Sequence, residues 1–92
     1  MRHEHEWRIW QNVELPAGKM LMPGVVSHAT NLVEHPQLVA DRILRYAEIA
    51  GRENVIAGTD CGLGGRVHAD LAWAKLHTLV EGAHLASKSL WP

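Results

Sequence analysis

The chain has 92 residues, a formal net charge of −1 and a single cysteine. That length holds one domain at most. Balanced charge without blocks of one sign argues against nucleic acid or an anionic membrane as partner, and one cysteine makes no internal disulfide, which suits a reducing cytoplasm. The start His3-Glu4-His5-Glu6 is too polar for a secretory signal, and no apolar run approaches the roughly 20 residues of a spanning helix.

Residues 1–22 read as an irregular arm. Trp7 and Trp10 share a face if that stretch makes a helical turn. In an extended arm, His3 and His5 point to one side and can share a metal; a solvated polar arm is the other reading. Pro16-Ala17-Gly18-Lys19 is turn chemistry, the mark of a small hairpin or a surface excursion. Pro23-Gly24-Val25-Val26-Ser27-His28 is a short β-branched strand without clean alternation, as expected when both faces are covered. A helix follows over 36–50: Pro36 sits at the first helical position after Glu34 or His35, and Gly51 supplies the stop. Leu38, Val39, Ile43, Tyr46, Ala47 and Ala50 form its apolar stripe, with Asp41, Arg42, Arg45 and Glu48 on the other side. Arg52-Glu53-Asn54 turns the chain into a second strand over 55–60, and a second helix runs over 69–89. Its stripe is Ala72, Leu76, Leu79, Val80, Ala83, Ala86 and Leu90, with Lys75, His77, Glu81, His84 and Lys88 largely off it. Gly82, Ala83 and Ala86 mark a closely packed neighbour.

The order strand–helix–strand–helix with short links predicts an α/β fold with two adjacent parallel strands and a right-handed crossover. The two βα units span 23–50 and 54–90. Two parallel strands have two open edges, and parallel sheets are ordinarily covered on both faces. The chain therefore reads as part of a larger sheet or barrel. Val25, Val55, Ile56 and Ala57 are expected to leave apolar surface or unpaired edges unless the arm folds over them, which makes an isolated chain oligomeric, prone to aggregate or only partly folded.

The second strand leads into Thr59-Asp60-Cys61-Gly62-Leu63-Gly64-Gly65. A cysteine at a strand end before a glycine loop and a long helix suits chemistry at that edge; a buried, inert thiol is the alternative. Together with Asn54-Val55-Ile56-Ala57-Gly58 before it, this stretch resembles the last strand of the cobalamin-independent methionine synthase catalytic domain and of its relatives, the epoxyalkane:coenzyme M transferases. Pro23-Gly24-Val25-Val26 and Val33-Glu34-His35-Pro36 resemble the preceding βα unit, and Arg2-His3-Glu4-His5-Glu6-Trp7 resembles the segment after the sixth strand of uncharacterised members. The resemblance implies a partial TIM-type (β/α)₈ barrel, of which this chain supplies the seventh and eighth units.

It also implies zinc (Zn2+) as cofactor, a thiol substrate and a methyl or alkyl donor. Zinc lowers the pKa of a bound thiol so that it attacks carbon at neutral pH. Cys61 is the zinc ligand that carries over; the family's His-x-Cys pair and sixth-strand Glu have no counterpart here. His3, His28 and Asp60 are expected to border the substrate, and no catalytic residue is assigned. An ungapped alignment places Ala29, one step from His28, where the family has a histidine. Three readings follow: the C-terminal part of a thiol methyl or alkyl transferase, inactive alone and completed by a missing barrel half or by further copies of itself; a non-catalytic remnant or interaction module held by another chain; or a small local zinc site of Cys61, His28 and one of His3 or His5.

Overall fold

In a computed structural model, residues 7–12, 16, 18–27, 32–59 and 69–92 are described. The elements are α1 (Ile9–Asn12), β1 (Gly24–Val26), α2 (Pro36–Ala50), a 3₁₀ turn (Arg52–Asn54), β2 (Gly58–Thr59) and α3 (Ala69–Leu90). The arm thus carries one helical turn, and Trp7 just before it lies under the Arg45 guanidinium of α2, 5.4 Å from the ring centroid.

β1 and β2 pair in parallel, as the strand–helix–strand order predicts. Both are shorter than the sequence suggests, but the pairing is extended by a parallel bridge between Leu21 and Val55. The Leu21 amide donates to the Asn54 carbonyl and the Ile56 amide to the Leu21 carbonyl, both at 2.7 Å. Leu21 thus already runs alongside the approach to β2; the first part of the expected hairpin or surface excursion, residues 13–15 and 17, lies outside the described residues.

Gly24 faces Gly58 and Val26 faces Thr59, so two steps along β1 match one along β2. Such a bulge re-aims a side chain. Val25 and Val26 consequently join the same core, both at 0 % exposure, with Val39, Ala40 and Ile43 of α2 and Ala86 of α3. This overturns the expectation of an exposed Val25. Ile56 does remain 43 % exposed, while Val55 and Ala57 are half-buried against the core.

The helix ends follow local chemistry. His35 is the N-cap of α2, its Nδ1 accepting from the Gln37 amide at 3.0 Å, with Pro36 behind it. Gly51 ends the helix at φ 93°, ψ 141°, its amide donating to the Ala47 carbonyl; that dihedral pair is open essentially to glycine alone. The buried faces follow it less well. Leu38 of α2 is exposed and Arg42, expected on the solvent side, is buried. On α3 the sequence stripe holds in part: Ala86 is buried and Leu79 and Ala83 pack against the core, but Leu76 and Val80 are exposed, and Lys75, Thr78 and Gly82 face inward as well. Gly82 is where α2 and α3 meet, since a Cβ there would come within 2.5 Å of Val39.

Candidate functional site

β1 ends beneath a cluster of charged side chains withdrawn from water. The chain after β1 returns through Leu32, Val33 and Glu34 to the N-terminus of α2, and the Glu34 side chain is only 3 % exposed. Its Oε2 accepts from the Ser27 amide, the first residue past β1, at 2.6 Å. Its Oε1 accepts from Lys75 Nζ at 2.8 Å. Lys75 lies one turn and a half into α3 and is completely buried. The same ammonium donates to the Leu32 carbonyl at 2.6 Å. Thr78, three residues on along α3, donates its hydroxyl to the Glu34 carbonyl at 2.6 Å. From α2, Arg42 donates through Nη1 to the Val25 carbonyl at 3.0 Å and stands 3.7 Å from Glu34 Oε2.

The electrostatics are those of a closed cluster. Burial pushes the Glu34 carboxyl up, but the Lys75 hydrogen bond, the Ser27 amide, its own amide and the Lys75 charge outweigh it and hold the group below its ordinary value. A carboxylate kept ionised with both oxygens occupied is a poor proton donor or acceptor at neutral pH. The cluster positions backbone instead. It ties the end of β1, the segment entering α2 and the first part of α3 into one unit, and it fixes Ser27 and Leu32, which flank positions 28–31 in the sequence.

None of Glu34, Lys75, Arg42 or Thr78 stands out as a site residue in the sequence. A signal was present: Lys75, Thr78, Gly82 and Ala86 recur at helical spacing, so the small residues that mark a close neighbour share their face with a lysine. The residues singled out from the sequence, His3, His28, Asp60 and Cys61, as well as His5, all lie outside the described residues, as does the glycine loop after Cys61. Among the described residues no three His, Cys, Asp or Glu side chains converge on a point that could hold a metal. They do not by themselves fit zinc. No helix among them is long and apolar enough to cross a membrane.

No protein-family profile matches the chain. In sequence it is similar to 2-hydroxypropyl-CoM lyase of Xanthobacter autotrophicus, 33 % identical over 82 residues, which is 89 % of this chain and 22 % of that protein. In structure it matches a B12-independent methionine synthase from a Shewanella species, in complex with selenomethionine, with a TM-score of 0.80 at 24 % identity, over 91 % of this chain and 24 % of that one. The resemblance carried by the strand-and-loop motifs is thus borne out on two counts, and the fold is an α/β unit with parallel strands matching part of a methionine synthase chain. The chain spans less than a quarter of the length of either relative.

Proposed function

We propose that this chain is the C-terminal part of a zinc-dependent methyl or alkyl transferase acting on a thiol, similar to the 5-methyltetrahydropteroyltriglutamate–homocysteine methyltransferases. The observation that carries the reading is the 33 % identity along 82 residues to an enzyme named for a coenzyme M conjugate. The fold shared with a methionine synthase is consistent with it. In this reading Cys61 supplies one thiolate to a zinc ion whose remaining ligands come from strands outside this chain. Zinc bound there supplies Lewis acidity that keeps a substrate thiol ionised.

The chain's own contribution is architectural. The Glu34–Lys75 pair fixes the end of β1, and the parallel pairing gives β1 and β2 the same direction. His28, Asp60 and, from the arm, His3 border the substrate. The barrel's other units, or another copy of the chain, complete the cavity and cover the strand edges; the share of each relative that the chain spans supports this reading over a self-sufficient enzyme. The chain then works in the cytoplasm.

Titration with Co2+ tests the assignment without relying on turnover. A thiolate ligand gives cobalt an intense near-ultraviolet charge-transfer band. The expected result is weak binding with one thiolate's worth of that band, lost in Cys61→Ser, and no thiol alkylation by the chain alone. A tight metal site that survives Cys61→Ser would overturn the ligand assignment. Alkylation by the chain alone would overturn its partial nature.

A further inference from the structure

A pocket of about 210 Å³ opens at the opposite end of the strand pair from the ion cluster, between α2, the approach to β2 and the last turns of α3. Its walls are apolar: Ile43 from α2, Val55 and Ala57 from the strand, Ala83 and Ala86 from α3. Its rim is not. Arg52, in the 3₁₀ turn, donates through Nη1 to the Leu90 carbonyl at the end of α3. Its guanidinium carbon stands 4.9 Å from the centroid of the Trp91 ring. Ser87 also lines the pocket, and its carbonyl accepts from the Trp91 amide at 2.8 Å.

The carbonyl and the indole fix the guanidinium in place but use few of its five N–H donors. Among the described residues no carboxylate pairs with it. A preordered, planar cation at the mouth of an apolar pocket matches one ligand chemistry: a carboxylate on a compact hydrophobic body, met by the guanidinium fork and seated against aliphatic walls. Volume limits the body. A dry cavity of about 150 Å³ holds benzene, so this one takes a single ring or a short aliphatic chain. Backbone geometry keeps the rim in place, because Gly51 directly before Arg52 adopts φ 93° and the 3₁₀ turn closes with the Asn54 amide donating to the Gly51 carbonyl at 3.0 Å.

We propose that the Arg52–Trp91 pocket is a binding site for small apolar carboxylates, separate from the strand-end region where Cys61 follows β2 and independent of the thiol-transfer reading. The test is a titration of the chain with benzoate, followed by the ¹H–¹⁵N signals of the Trp91 indole and Arg52 side chain and the methyl signals of Ala57 and Ala83. Saturable shifts confined to these groups are expected with benzoate and absent with benzamide, its neutral counterpart. Arg52→Gln is expected to weaken binding about tenfold or more, as losing a charge-assisted hydrogen bond does. Ala83→Leu, which fills the pocket and leaves the cation, is expected to abolish it. Equal responses to benzoate and benzamide, or binding untouched by either variant, would overturn the proposal. So would signals that shift with protein concentration alone and block benzoate, since the pocket would then belong to a second copy of the chain.

Discussion

The two ends of the strand pair handle positive charge in opposite ways. Past the end of β1, Lys75 and Arg42 are taken out of water and bound to Glu34 and to main-chain carbonyls. At the other end Arg52 stays exposed and, among the described residues, is held by one carbonyl and one indole face. A buried ammonium survives only with its partners in place, so that end is committed to holding the fold. An exposed guanidinium with spare donors costs little to keep and remains free to meet a ligand. The contrast predicts that mutations at the first end act on stability and mutations at the second act on binding.

The largest expected effect is that of Lys75→Met, which takes from buried Glu34 its hydrogen-bonded cation and leaves, among the described residues, only Arg42, 3.7 Å from the other carboxylate oxygen. Removing one partner of a buried pair costs about 3–5 kcal/mol, enough to unfold a chain of this size or lower its melting temperature by well over 10 °C. The double variant Glu34→Gln/Lys75→Met is expected to recover part of that loss, because no carboxylate is then left short of its ammonium and Arg42 keeps its hydrogen bond to the Val25 carbonyl. Urea unfolding of the set checks it, and a Lys75→Met cost under about 1 kcal/mol would break the comparison at its stronger side.

Next comes Gly82→Ala. Helix propensity favours alanine by up to about 1 kcal/mol, but the new methyl meets Val39 at 2.5 Å and the Pro36 carbonyl at 3.0 Å. Overpacking costs about 1–3 kcal/mol, so the net expectation is destabilisation by about 1 kcal/mol, read from the same unfolding curves. A stabilised variant would show that α2 and α3 part easily.

The ion cluster is also sensitive to acid. The Glu34 carboxyl is held below its ordinary 4.5 in the folded chain, so its contribution is fully present above that value and is lost as pH falls through the lowered one. Stability measured from pH 6 downward is expected to decline below about 4.5, with a shallower decline in Glu34→Gln. Parallel curves for the two would assign the acid sensitivity elsewhere. The smallest effect is that of Arg52→Gln on stability, about 0.5–1 kcal/mol for an exposed cation over an aromatic ring, even as the variant loses carboxylate binding. A larger loss would make both ends structural.

Much of the architecture was legible from local chemistry. Pro36 after His35 and Gly51 at the far end bracket α2 at the residues found, and the order of β-branched runs and helices announced the parallel pair. β1 is shorter than its β-branched run suggests because Ser27 gives its amide to a side chain, Glu34, where a neighbouring strand would have taken it. The candidate site was less legible. A lysine in a helix is read as solvated unless its partner is known, and here the carboxylate lies 41 positions away in another segment.

Helix boundaries, strand direction and the family likeness were therefore determined by the sequence alone, because they depend on dihedral preferences and contiguous motifs that each residue carries with it. Tertiary structure alone decided that Leu76 and Val80 of α3 stay in water, that Arg42 and Lys75 leave it, and that Arg52 meets the Trp91 ring. Each of those outcomes depends on groups far apart in the chain, and only the packing of α2 and α3 around bulged β1 brings them within reach.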